Sequence, residues 1–128
     1  MHEVEYLTQA KDSLLNPLHR GDIILLDFGK QHGYIQGGVR PAVIIQNDTG
    51  NYFSPTTIVA PITSKNKKYI PTHVKICCGE GKLNKDSIIL AEQVSTVNKH
   101  EIIGYIGHIS DLKLYEKINK ALSVSLAI

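Results

Sequence analysis

Arg40 stands at the end of a glycine-rich run, "GYIQGGVRP", and is followed at once by Pro41 and the apolar residues Ala42, Val43, Ile44 and Ile45. A guanidinium is planar, permanently charged and matches two phosphate oxygens together, so an arginine fixed at that junction suits a phosphodiester. Gly37 and Gly38 let a backbone come close to such a ligand, and Gln36 carries both a donor and an acceptor. Thr63, two residues after Pro61 in "TTIVAPIT", can present a hydroxyl from a rigid strand end. Lys65, Lys67 and Lys68 form a compact basic patch beside Tyr69, where a phosphate backbone could lie while the ring stacks on a base. Histidine suits proton transfer near neutrality, and His32 lies in the glycine-rich loop. Gln93 interrupts the apolar segment "SIILAEQV". Each residue also has a plainer reading. An arginine before proline serves as a solvated strand end, a threonine as a good strand former, a lysine run as a solubilising loop and a buried glutamine as a satisfied core amide. Spacing alone leaves these alternatives open.

The elements that would position these groups follow from pattern. "GDIILLDF" (21 to 28), the stretch from Pro41 to Asn47, "TTIVAPIT" (56 to 63), "THVKICC" (72 to 78), "SIILAEQV" (87 to 94) and "EIIGYIGHI" (101 to 109) read as strands. The run from Ala42 to Ile45 is continuously apolar, as a strand covered on both faces requires. Pro61 cannot donate to a ladder and predicts an edge or a bulge. "DTGNYFSP" (48 to 55) reads as a turn cluster and "GEGKLNKD" (79 to 86) as a loop. From Ser110, taken as N-cap, Leu114, Ile118, Ala121 and Leu122 recur at helical spacing. Val4, Leu7, Leu14 and Leu15 suggest a short helix over residues 3 to 15, ended by Asn16-Pro17. Short strands followed by one helix predict a small, curved antiparallel barrel with the helix packed on it.

Composition narrows the function. The 128 residues, 42% of them hydrophobic, suffice for one domain with a core. A net charge of +2 makes any anion site local. The beginning of the chain resembles neither a signal peptide nor a membrane span, so a cytoplasmic location is expected. Cys77 and Cys78, if they lie in a strand, point to opposite faces as buried or half-buried thiols with no mutual disulfide. The histidines lack metal-ligand spacing and no phosphate-binding loop of the Lys-Ser or Lys-Thr kind is present, which argues against a metalloenzyme or a nucleotide hydrolase.

Several ordered blocks, "RGDIILLDF", "QGGVRPAVIIQND", "FSPTTIVAPIT" and "DSIILAEQVSTV", resemble the MazF/PemK family of toxin endoribonucleases of type II toxin-antitoxin systems. The resemblance spans residues 20 to 126. It implies a mainly β fold, a small SH3-like barrel of the CcdB/PemK plasmid-toxin type with a C-terminal helix, in a toxin domain over 19–128 preceded by an extension over 1–18. It also implies a homodimer that cuts single-stranded RNA at short preferred sequences without metal or other cofactor. Arg40 and Thr63 match the family's catalytic arginine and threonine, and Gln36 and Gln93 match positions that line the RNA groove; with Gly37, Ser64, Lys65, Lys67 and Lys68 they make the expected RNA-binding set. Some members carry a glutamate before the Gln36 position, where this chain has Ile35. The implied partners are RNA and a MazE-like antitoxin with an acidic tail, in a complex that can bind operator DNA, with no membrane.

RNA carries its own nucleophile, the 2′-hydroxyl, so such an enzyme has only to align it, move protons and stabilise the phosphorane. The expected products are a 2′,3′-cyclic phosphate and a 5′-hydroxyl. The glycine-rich loop would close on RNA while the strand keeps Arg40 still. His32 is the local candidate for a base, since arginine is a poor proton acceptor. Two rivals share the fold: a non-catalytic RNA-binding relative, and a gyrase-directed toxin, whose family leans on a terminal tryptophan that this Trp-free chain lacks.

Overall fold

The computed structural model describes residues 17–128; the helix expected over 3 to 15 lies outside them. Seven strands, β1 (Asp22–Asp27), β2 (Val39–Ile44), β3 (Thr56–Thr63), β4 (His73–Ile76), β5 (Ser87–Leu90), β6 (Ser95–Asn98) and β7 (Gly104–His108), are joined by a short helix α1 (Asp48–Phe53) and followed by α2 (Leu112–Leu126). All pairings are antiparallel, in the order β4-β5-β3-β2-β1-β7, with β6 beside the first half of β3. This is the expected mainly β architecture with its C-terminal helix. The ladder stays open between β4 and β7. A 3-10 turn at Glu80–Lys82 packs on β7 instead, where Gly107 lies so close to Gly81 that a Cβ would collide with the Gly81 carbonyl.

Strand alternation sorts the apolar residues into two cores. Ile23, Val43, Ala60 and Ile62 join Leu114, Ile118, Ala121 and Leu122 of α2 on one face. Ile24, Ala42, Ile44 and Val59 join Leu18 and Ile102 on the other. The central strands are therefore covered on both sides, as the run from Ala42 to Ile45 requires.

The proline in β3 is accommodated by a change of partner. Ile58 bonds toward β2 through its carbonyl, so alternation turns the nitrogen of Pro61 to the opposite edge. On that edge β6 pairs with Thr56 to Val59, and β5 takes over at Ile62 and Thr63. The missing donor falls in the gap between them.

Four expectations need correction. β2 begins at Val39 rather than Pro41, so Arg40 belongs to the strand, opposite Leu26 of β1. The turn cluster at 48 to 55 contains α1, because Asn47 caps it by accepting from Gly50 N–H at 2.7 Å. Behind that cap, buried Asn51 accepts from Thr57 Oγ1 at 2.8 Å and donates to the Gln46 carbonyl at 2.9 Å. The N-cap of α2 is Asp111, which accepts from Lys113 N–H, rather than Ser110. Finally, β4 ends at Ile76, so Cys77 and Cys78 lie beyond the strand as exposed, free thiols. No helix among the described residues is long and apolar enough to cross a membrane.

Candidate active site

The start of β2, the end of β3 and the segment leading into β5 enclose a cleft of about 320 Å³. Arg40, Thr63, Ser64 and Lys65 line it, together with Asn84, Lys85 and Ser87. Asn84 and Lys85 were passed over as loop residues, and Ser87 as the start of a strand. Sheet register brings them here: Ile88 pairs with Thr63, so the chain entering β5 must run past the end of β3.

Among the described residues no carboxylate holds the guanidinium of Arg40. Its Nε donates to the Gly37 carbonyl at 2.7 Å. Gln36 is buried, and with its amide oxygen turned toward the arginine it accepts from Nη1 at 3.0 Å and Nη2 at 2.9 Å. Neutral acceptors fix the plane of the group while leaving its charge unneutralised. Among the described residues both salt bridges lie elsewhere, at His73–Glu92 and His108–Asp22. Burial pushes the Arg40 pKa down from its ordinary value. Arginine keeps its proton in proteins, so the group remains a cation.

Gln93 works one step behind. Its Oε1 accepts from Gln36 N–H at 2.8 Å, and its Nε2 donates to the Tyr34 carbonyl at 3.0 Å. The glycine-rich loop is thus tied to the turn between β5 and β6 rather than hanging free. It is also zipped at its base, where Phe28 N–H donates to Gly38 and Gly38 N–H to Gly29. Gly37 is required by close approach, since a Cβ there would collide with the Gln31 backbone. Gln36 and Gln93 therefore position Arg40. Gln93→Ala is expected to lower kcat about tenfold with a smaller change in KM. Gln93→Glu, which keeps only the acceptor, should recover part of the loss; steady-state kinetics on both variants checks this.

Thr63 is 1% exposed, yet it lines the cleft. Its Oγ1 accepts from Lys65 N–H at 3.2 Å, which leaves the hydroxyl hydrogen to donate. Ser64, Lys65, Lys67 and Lys68 are exposed, but only Ser64 and Lys65 belong to the cleft wall. A second groove of about 590 Å³ between β4 and α2 gathers Lys75, Lys117 and Lys120 but neither Arg40 nor Thr63.

His32 is not brought to the cleft. It is exposed in a turn closed by Ile35 N–H donating to its carbonyl. His32→Ala is expected to leave both the rate and its pH profile unchanged over about pH 5 to 8. Rates measured across that range decide the point. No group of three His, Cys, Asp or Glu that could hold a metal ion occurs among the described residues.

Comparison with known proteins gives this geometry a context. The model for the PemK-like, MazF-like toxins of type II toxin-antitoxin systems matches residues 19–126. An endoribonuclease MazF of Staphylococcus saprophyticus is 49% identical over 112 residues, which cover 87% of this chain and 92% of that protein. A mycobacterial endoribonuclease solved with its cognate antitoxin superposes with a TM-score of 0.72 at 24% identity, covering 87% of this chain and 96% of the other. MazF from Deinococcus radiodurans does so with a TM-score of 0.73 at 21% identity, covering 88% and 98%. These two likenesses concern the fold. The family match over most of the chain, and the relative that shares nearly half of its residues, go further: the chain belongs to the PemK-like, MazF-like toxins of type II toxin-antitoxin systems.

Proposed function

We propose that this toxin is a sequence-specific endoribonuclease that cuts single-stranded RNA by attack of the 2′-hydroxyl on the adjacent phosphate. The observation that carries the proposal is an arginine fixed by neutral acceptors on the wall of a cleft that also holds Thr63. Arg40 faces a reaction in which negative charge grows on the non-bridging oxygens. A preorganised cation is worth most at that stage. Thr63 donates to one of those oxygens, and Ser64, Lys65 and Lys85 hold the flanking phosphates. Unstacked bases are read from their exposed edges beside the cleft, with Lys67 and Lys68 extending the cationic surface.

RNA supplies its own nucleophile, so the reaction as written draws on no metal and no cofactor. Support for the activity comes from the 49% identical endoribonuclease, and support for an antitoxin partner from the mycobacterial complex. In this account the protein works in the cytoplasm as a homodimer, with an antitoxin tail and RNA competing for overlapping surface. A titration in which both bind tightly together would contradict that competition. The activity itself is tested by incubating purified toxin with a long mixed-sequence RNA in excess EDTA and mapping the ends. Discrete cuts at one short sequence are expected. An intact RNA beside folded, antitoxin-free protein would favour a binding-only relative.

A further inference from the structure

Cys77 and Cys78 follow directly on β4 as exposed, free thiols. The peptide unit between them is hydrogen-bonded at both of its polar ends to the segment 80–86, which carries part of the cleft wall. Its N–H, from Cys78, donates to Asp86 Oδ1 at 2.8 Å. Its carbonyl, from Cys77, accepts from Glu80 N–H at 3.1 Å, and next to it Gly79 N–H donates to the Leu83 carbonyl at 2.7 Å. Asp86 lies between Lys85 and Ser87, which line the Arg40 cleft together with Leu83 and Asn84.

We propose that Cys77 and Cys78 form a redox-modified dithiol, which a low-molecular-weight disulfide converts to a Cys77–Cys78 ring, loosening the Leu83–Ser87 wall of the cleft. The consequence for cleavage rests on the ribonuclease function proposed above; the thiol chemistry does not. In the first step one cysteine thiolate attacks the external disulfide, forming a mixed disulfide and expelling one thiolate. The neighbouring thiolate then attacks the protein sulfur, closing the ring and expelling the second. Two protons pass from the cysteines to the released thiols, and two electrons pass from the protein to the external disulfide.

Geometry links the ring to the wall. Neighbouring Cα atoms across a trans peptide lie about 3.8 Å apart, whereas ordinary disulfides span roughly 4.4–6.8 Å. Closing the ring must therefore distort the very peptide unit that holds Asp86 and Glu80. A strained bond of this kind is readily reduced again, as a reversible modification requires. Side chains in a strand would have pointed apart, but these two lie past its end.

The test treats reduced protein with oxidised glutathione and follows intact mass, amide hydrogen exchange and RNA cleavage. The wild-type mass should fall by two hydrogens with no retained glutathione, and exchange over residues 83–87 should accelerate. Cleavage should drop about tenfold, as expected when a wall of the site is misplaced, and recover with dithiothreitol. Cys77→Ser and Cys78→Ser should cut like reduced wild type and never lose two hydrogens. A wild-type glutathione adduct that never resolves would overturn the ring. A ring with unchanged exchange at 83–87 would overturn its coupling to the cleft, and equal inhibition by an adduct on Cys77→Ser would assign the effect to bulk. Failure of the reduced protein to cut would count against the ribonuclease function alone, because mass and exchange still decide the dithiol.

Discussion

Arg40→Ala is expected to lower the cleavage rate about a thousandfold while the protein stays folded. The loss is large because the guanidinium stabilises charge that exists mainly in the transition state, so kcat should carry most of it. Folding should survive. Removal of the arginine leaves the Gln36 amide without its partner, at a cost of about 1–3 kcal/mol, against a typical domain stability of roughly 5–15 kcal/mol. Arg40→Lys separates charge from shape. A lysine restores the cation but cannot span the acceptors at Gln36 and the Gly37 carbonyl, so it should recover only a small part of the rate. Circular dichroism melts beside single-turnover rates would show both halves of the prediction; a fully active Arg40→Lys would mean that charge alone suffices.

Thr63→Val is expected to reduce cleavage by about 10- to 100-fold, the value of a hydrogen bond to a charged oxygen. Valine keeps the branched shape at a position that is 1% exposed, so the packing of β3 against β5 should persist. The Lys65 N–H loses its acceptor, but Lys65 is exposed and water replaces the bond. Thr63→Ser keeps the hydroxyl and should retain most of the activity. Were valine and threonine to cut equally fast, the hydroxyl would have no part in the reaction.

Much of this was legible in the sequence, and the failures have physical causes. Alternating or continuous apolar runs identified every strand with a buried side chain, and helical spacing gave the buried face of α2 residue by residue. β6 was missed because Ser95 to Asn98 carry a single apolar residue, Val97, too little for a pattern, and they become a strand by pairing with Thr56 to Val59. α1 was hidden by turn-forming residues whose helical state depends on the Asn47 cap and the buried amide of Asn51. Arg40, Thr63, Gln36 and Gln93 could each be singled out, but their arrangement is tertiary. The Gln36–Gln93 bond crosses 57 residues of sequence, so the link from Gln93 through Gln36 to the arginine could not be read from either residue alone. Asn84, Lys85 and Ser87 reach the cleft through strand register, which their own composition does not encode.

The central claim is that RNA cuts itself within this cleft, with the protein aligning and stabilising. It is tested most directly by placing a single 2′-deoxy sugar immediately 5′ of the scissile phosphate in a substrate whose cut site has been mapped, with EDTA in excess. The account predicts that this bond is spared, while the all-ribose control is cut to 2′,3′-cyclic phosphate and 5′-hydroxyl ends. Cleavage of the deoxy-substituted bond would show that water or a protein group attacks the phosphate, and would contradict the roles assigned to Arg40 and Thr63.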